Sequence, residues 1–333
     1  MKILHLPLEV GGQIGELCLQ LRQLGHHAVG YNWRSNYLKY DHTLLHSDAY
    51  EMARTLVTAA QYFDIFHYHT GYTLYTDKKD IERLAGLGKK LVMHHRGNDV
   101  RIPSLAVKGK NYTNPYVYTG DSQPEEKIKA NLAYFSKYLK TAIVQDYELY
   151  DYVSDYYEHV HILPRPINIT QIKPYKYEQP QQSTPPIVVH APTSRAFKGT
   201  NDMIPIIEKL RKDIPFEFIL LEKTAKQLTL DVMKGADIII DQINCGMYGN
   251  VSVEAMAMGK AVICYIRPDI KARLPQDLPI VSANMDLLYD ELKQLVLQAD
   301  RRKKLGEQGR RYVEKHHDSR MVAKQLVSIY KSL

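Results

Sequence analysis

The chain has 333 residues, 44% of them hydrophobic and 24% charged, which is enough to build two globular domains and too apolar for a disordered polymer. Three dispersed cysteines, Cys18, Cys245 and Cys264, exclude a disulfide framework or a cysteine zinc cluster and fit a reducing compartment, the cytoplasm. The net charge of +7 comes without a nucleic-acid motif, which leaves solvated helix faces, or an anionic membrane surface or small molecule, ahead of nucleic acid as its explanation.

The opening MKILHLPLEVGG is interrupted by His5, Pro7 and Glu9 and reads as a first strand, not a signal peptide; no apolar run of about 18 residues follows anywhere. Apolar strands then alternate with helical stretches: HAVGYN, DIFHYH and KLVMHH are separated by helices expected near 48–61 and 77–87, after a first helix near 13–25. TAIVQD and HVHILPRPIN complete this series. Strands spaced by single helices imply parallel β-α-β units and a doubly wound, Rossmann-like sheet. QIKPYKYEQPQQSTPP collects prolines and polar residues, the chemistry of a linker.

A second series runs IVVHAP, a helix near 200–212, FEFILLE, a short helix near 225–234, ADIIIDQ, the helix VSVEAMAMG, KAVICYI and LPIVSA. The remainder, from about 285, carries apolar residues at helical spacing, ending with Val322, Leu326 and Ile329. The expected division is 1–168 for the first domain, 169–315 for the second, and 316–333 for a C-terminal helix packing back on the first.

Three loops carry the chemistry. EVGGQIGE, after the first strand, lacks the G-x-G-x-x-G spacing of a dinucleotide site, so a nicotinamide cofactor is not expected. Its glycine pair serves either a tight strand-to-helix turn or close approach of backbone N–H groups to a phosphate or sugar hydroxyl. In HAPTSRAFKGT, Arg195 and Lys198 are either surface cations or a pair aimed at one diphosphate, with Thr200, Asn201 and Asp202 as candidate helix caps. Glu254, expected in the first turn or so of its helix, either offsets the helix dipole or accepts hydrogen bonds from a ribose diol.

These stretches together resemble the GT-B glycosyltransferases of family 4, over essentially the full length. The resemblance rests on GGQIGELCLQLRQLGHHAV, HRGNDVR, ILPRPIN, HAPTSRAFKGT, YGNVSVEAMAMGKAVICY and the tail RRKKLGEQGRRYVEKHH. It implies an α/β GT-B fold, two Rossmann-like domains facing a central cleft, and a retaining, metal-independent transfer of a sugar from a nucleotide diphosphate to a carbohydrate or lipid-linked acceptor. No cofactor is implied. Arg195 and Lys198 match the family's cations on the donor phosphates, and Glu254 its ribose acid. Gly246, Tyr248, Gly249, Asn250 and Val251 fall in the same donor motif, and Gly12 would face the donor from the first domain. Surface polysaccharide assembly beside an anionic membrane is the expected setting, with no nucleic-acid partner.

Two positions depart from the family pattern. A first glutamate, eight residues before Glu254, is replaced by Gly246, and the H-G-x-D pattern appears as Arg96, Gly97, Asn98 and Asp99, with His94 or His95 as a substitute imidazole on the acceptor side. These changes leave open an altered sugar specificity or a catalytically weak binder; a nucleotide-sugar epimerase of the same fold is a separate alternative. In HYH, His67 and His69 share a strand face as a metal pair, as ordinary packing, or with His69 beside the reacting groups. Asp99 with Arg101 makes either a site pair or a surface salt bridge. The 25 tyrosines suit half-buried helices or carbohydrate stacking, densest in NYTNPYVYTG and YELYDYVSDYYEH.

Overall fold

The structure, a computed structural model, describes residues 1–34, 38, 44–107, 122–174 and 185–333. The tyrosine-dense stretch 111–120 and most of the proline-bearing linker, 175–184, lie outside the described residues. Two compact units are formed. The first holds the described residues up to Pro166 together with Ser319–Leu333, and the second holds Ile167–Asp318.

The first unit runs β1 (Lys2–Leu6), α1 (Gln13–Gln23), β2 (His27–Asn32), β3 (Leu44–His46), α2 (Ala49–Tyr62), β4 (Ile65–His69), α3 (Lys79–Gly86), β5 (Lys90–His94), α4 (Pro103–Val107), α5 (Glu125–Tyr138), β6 (Thr141–Val144), α6 (Tyr147–Val153) and β7 (His159–Ile162). Its seven strands are all parallel, in the order β3-β2-β1-β4-β5-β6-β7. The chain reverses its direction of travel between β1 and β4, the switch point at which open α/β sheets hold ligands beyond their strand ends. β3 was not expected, because LLH is too short to show an alternation.

The C-terminal helix α14 (Ser319–Ser332) belongs to this unit. Its Val322, Leu326, Ile329 and Tyr330 form one apolar stripe that packs with Ile14, Leu17, Cys18 and Leu21 of α1 over Ile3, Ile65 and Val92 of the sheet.

The second unit runs β8 (Ile187–His190), α7 (Arg195–Lys198), α8 (Thr200–Asp213), β9 (Glu217–Leu220), α9 (Lys226–Gly235), β10 (Ile238–Ile240), α10 (Asn250–Ala257), β11 (Ala261–Ile263), α11 (Pro268–Lys271), α12 (Met285–Leu297) and α13 (Ala299–His316). Its four strands are parallel in the order β11-β10-β8-β9, so the switch point lies between β8 and β10. LPIVSA, expected as a fifth strand, contributes only one bridge, Val281 to Ile263. Pro279 has no N–H to give, and the Ser282 hydroxyl takes the Ile266 N–H at 3.0 Å in place of a ladder partner.

The basic tail is largely structural. Arg302 Nη1 donates to the Leu295 and Val296 carbonyls at 2.7 and 2.8 Å, and Arg310 Nη1 donates to the Ala257 carbonyl at 2.8 Å, so two arginines close the open carbonyls at the ends of α12 and α10. Helix α13 reaches α10 through Gly306 and Gly309. A Cβ at Gly306 would overlap the Gly259 carbonyl, and one at Gly309 would stand 3.0 Å from Met256 Cγ. In an exposed helix glycine to alanine stabilises by about 1 kcal/mol. Gly306→Ala is expected to reverse that sign and cost ~1–3 kcal/mol as overpacking, read as a lower denaturant midpoint; an unchanged or higher midpoint would refute the close packing. No helix among the described residues is long and apolar enough to cross a membrane.

Candidate functional site

In the second unit the loops after β8 and β10 meet at the switch point. Ser194 caps α7 by accepting the Phe197 N–H at 3.2 Å, and Gly199 leaves it in the left-handed region at φ 76°. None of Thr200, Asn201 and Asp202 caps α8. Thr200 is turned inward to His190 Nε2 at 2.8 Å, and Asn201 accepts from Arg195 Nη1 at 3.0 Å. Burial lowers the His190 imidazole to about 4, which keeps it neutral beside Thr200.

Arg195 and Lys198 do not converge on one point. Arg195 is half exposed and forks onto Glu222 at 2.7 and 2.6 Å, whereas Lys198 is buried and donates to Asp241 Oδ1 at 2.6 Å and Gln242 Oε1 at 2.8 Å. Spacing of three on a helix would put them on one face; it is their partners, Glu222 for one and Asp241 with Gln242 for the other, that draw the two side chains apart. The second oxygen of Asp241 accepts from Gly249 N at 2.8 Å, Ser252 N at 3.3 Å and Ser252 Oγ at 2.7 Å. A single carboxylate therefore ties Lys198 to the N-terminus of α10, whose cap residue, Gly249, has no side chain to offer. Burial alone would raise the Asp241 carboxyl; the Lys198 charge and these donors outweigh it and hold the group below the usual carboxylate range. Gly249 is required by proximity, because a Cβ there would lie 3.0 Å from Asp241 Oδ2 and 3.2 Å from Lys198 Nζ.

Glu254 is the fifth residue of α10, one position further in than a helix opening at Val251 would put it, at the start of the second turn, where the helix dipole has little hold on it. Its Oε1 accepts from Lys226 Nζ at the start of α9, while Oε2 is buried without a hydrogen-bond partner. A buried carboxylate oxygen without a donor is costly unless something else supplies one. Asn250 and Val251 are half-buried at the head of the same helix. Tyr248 is turned away from them, its hydroxyl 3.1 Å from His317 Nε2 and 3.4 Å from the Tyr312 hydroxyl. Gly246 has φ 83°, and a Cβ would meet Arg267 Cβ at 3.0 Å, so a side chain such as glutamate would be strained on this backbone.

In the first unit the loop after β1 holds Gly11 and Gly12 in the left-handed region, φ 72° and 75°. The N–H groups of Ile14 and Gly15 that open α1 are taken by the buried Glu9 carboxylate at 3.1 and 2.9 Å, which occupies the place expected for a phosphate. Burial raises the Glu9 carboxyl above its ordinary value against the pull of those donors.

Arg96, at the strand end after β5, is buried. Its Nη1 donates to Gln13 Oε1 and its Nη2 contacts His69 Nδ1 at 3.0 Å; burial foremost lowers the guanidinium to about 9. Asp99 accepts from His95 Nδ1 at 2.7 Å and from the Arg96 and Gly97 N–H groups at 3.1 and 2.9 Å, and His95 Nε2 meets the Tyr157 hydroxyl at 2.8 Å. Asp99 and Arg101 thus form neither of the expected pairs: Asp99 shapes the RGND turn, and Arg101 forks onto the buried Glu148 at 2.9 and 2.8 Å.

The strand register gathers further imidazoles. His5 pairs with His67, and His69 pairs with His94, across β1, β4 and β5; residues in register on parallel strands share a face, as do positions two apart. His5, His67, His69 and His94 therefore stand together, all buried, with the His67 and His69 rings stacked 4.3 Å apart. One nitrogen from each of His5, His67 and His69 lies within 4.8 Å of the others. Asp241, Lys226, Glu9, Gln13 and His5 were missed by sequence reasoning. Asp241 had a signal, being a polar residue directly after a buried apolar strand, and His5 a weaker one, as an imidazole inside the apolar strand β1; Lys226 and Gln13 had none beyond their position at a helix start.

Neither a protein-family model nor a curated protein matches the sequence. Solved structures do match. Anabaena HepE in complex with UDP and glucose superposes with a TM-score of 0.70 at 13% identity, over 100% of both chains. Sucrose-phosphate synthase from Thermosynechococcus elongatus gives 0.67 at 12%, over 100% of this chain and 99% of that one. An alpha-glucosyltransferase in complex with UDP-glucose and DNA containing an abasic site gives 0.61 at 12%, over 98% of each. The fold is GT-B. With that, the two parallel sheets and their switch points take their places as the two halves of a GT-B chain, which the sequence stretches quoted above led one to expect.

Proposed function

We propose that the protein is a retaining, metal-independent glycosyltransferase of the family 4 type. It moves a sugar from a nucleotide-diphosphate sugar to a carbohydrate or lipid-linked acceptor in surface polysaccharide or glycoconjugate synthesis. It works in the cytoplasm, in peripheral contact with an anionic membrane. The observation that carries the reading is Glu254, whose buried Oε2 has no donor among the described residues and so suits a ribose hydroxyl. The GT-B fold supports it.

Arg195 is the first cation for the donor diphosphate, because its pairing with Glu222 is solvent-exposed and easily exchanged. Lys198 acts from behind by fixing the N-terminus of α10 through Asp241, and positive charge on the leaving diphosphate, supplied by Arg195, is the main catalytic term. On the acceptor side Arg96, His69 and His95 are the polar groups at the strand ends, with Asp99 holding the turn that carries Arg96.

The test is thermal unfolding with UDP, GDP, ADP and their sugars, followed by transfer assays with the nucleotide that binds. A ligand at about 100 times its Kd stabilises by ~2.7 kcal/mol. A shift with one base followed by sugar transfer supports the proposal, with DNA as a control acceptor. Binding without transfer identifies a weak binder, C2 inversion of the free nucleotide sugar identifies an epimerase, and no shift with any nucleotide refutes the donor site.

A further inference from the structure

The histidine cluster of the first unit has a direction, and the direction follows from Arg96. A guanidinium only donates, so His69 Nδ1, 3.0 Å from Arg96 Nη2, must accept. A neutral imidazole has one donor and one acceptor, so His69 carries its proton on Nε2 and gives it to His5 Nδ1 at 3.1 Å. His5 then carries its own on Nε2 and gives it to the Tyr330 hydroxyl at 3.2 Å. The Tyr330 proton is left for His67 Nδ1 at 2.6 Å, and His67 ends the series with its Nε2 buried and without a partner. Every link points away from Arg96. Burial supports this, lowering His5 to about 3 and His67 and His69 well below the usual imidazole range, so the rings are neutral.

The same accounting rules out reading the cluster as a metal centre. The lone pair of His69 is already given to Arg96, and freeing its Nε2 for a metal would put a proton on Nδ1 against the guanidinium.

We propose that Tyr330 and His5 are positioning residues for Arg96: the hydrogen-bond series that runs from the guanidinium through His69 and His5 to the hydroxyl of α14 fixes three tautomers and with them the orientation of Arg96. This rests on the proposed function for its effect on turnover, but not for its structural content. On its other side Arg96 is held by Gln13 Oε1, which also accepts from Gln145 Nε2 at 2.8 Å, so the guanidinium is held between His69 of β4 and the start of α1, with Gln145, just past β6, bracing Gln13. Without the Tyr330 hydroxyl, the His5 Nε2 proton loses its acceptor. Reversing His5 would require His69 Nε2 to accept, hence a proton on His69 Nδ1, directly against Arg96. The series either holds as a whole or releases Arg96.

The experiment is two-bond 1H–15N spectroscopy of the imidazoles in the full chain, free of ligand. Expected are protons on Nε2 of His5, His67 and His69. Tyr330→Phe, which keeps the ring, should shift the His69 Nδ1 resonance and speed exchange of the Arg96 guanidinium protons. In transfer assays it should lower kcat about tenfold while nucleotide binding, read by thermal shift, is unchanged. Ile329→Ala, on the same helix but outside the series, should lower stability and leave the tautomers alone. A proton on His69 Nδ1 in the unaltered protein, or Arg96 and His69 signals unmoved in Tyr330→Phe, would overturn the proposal. If Tyr330→Phe does not fold, Arg96→Met tests the series from its other end: a changed His5 tautomer supports it, and an unmoved one sinks it. The spectra are read without substrate, so they decide the series whether or not transfer is found.

Discussion

Glu254→Ala should weaken binding of the nucleotide sugar by about 100-fold or more while leaving the protein folded. A hydrogen bond to a charged group contributes roughly 1.5–3 kcal/mol, and a ribose diol makes two, one to Oε2 and one to the lone pair that Lys226 leaves on Oε1, so the expected loss of ~3–6 kcal/mol reaches the ~2.7 kcal/mol of a hundredfold change. Little stability should go with it. The carboxylate's partner, Lys226, keeps 24% of its side chain exposed and can turn to water. Calorimetric titration of the variant with the nucleotide that stabilises the unaltered protein gives the answer, with melting temperature as the fold control. Unchanged affinity in a folded Glu254→Ala would remove the donor-site assignment. Glu254→Gln, which keeps one acceptor, should fall between the two.

The effect is confined to binding because Glu254 caps nothing. An acid in the first turn of α10 would have been a helix-dipole residue, and its loss would have shown in stability. The register of NVSVEAMA puts it in the second turn, and the capping is done by Asp241 from another element. Sequence patterning shows that a glutamate sits near a helix start; it does not show which residue the helix begins on, because here the cap is a glycine and the true capping group is nine residues upstream of α10.

The same distinction runs through the molecule. The strand-helix alternation was legible because each strand is a short apolar run ended by turn residues, and both doubly wound sheets follow from it. Side-chain partnerships were not. Arg195 and Lys198 look like a pair in sequence, yet one is taken at the surface by Glu222 and the other in the interior by Asp241, partners that lie 27 and 43 residues away in the chain. His67 and His69 were correctly placed on one face by the period of two, but His5 joins them only through the pairing of β1 with β4, a contact that spans two helices and two further strands of chain. Tyr330 stands 325 residues from His5 and reaches it because α14 returns to the first sheet. The basic tail invited an interaction with anions, whereas Arg302 and Arg310 are spent on carbonyls at helix ends.

Asp241→Ala should be the most destabilising single change in the second unit, by about 3–5 kcal/mol, the usual cost of leaving one member of a buried ion pair alone. Lys198 would remain buried with only Gln242 to accept from it, and Gly249, Ser252 and the start of α10 would lose their acceptor at once. For a unit of this size ~1 kcal/mol moves the midpoint by about 2–4 °C, so a fall on the order of 10 °C is expected in a thermal scan. The pH dependence carries the same signature with a definite sign. The folded Asp241 carboxyl lies below its unfolded value, so its contribution is fully present above the unfolded pKa and is lost as the pH falls through the folded one. The unaltered protein should therefore lose midpoint on acidification over that range, and Asp241→Ala should lose less. Lys198→Met in the Asp241→Ala background separates charge from capping: it removes the stranded ammonium and should recover part of the loss, the remainder belonging to α10. No recovery would mean that the carboxylate matters to α10 alone, and full recovery that the cap on α10 contributes nothing.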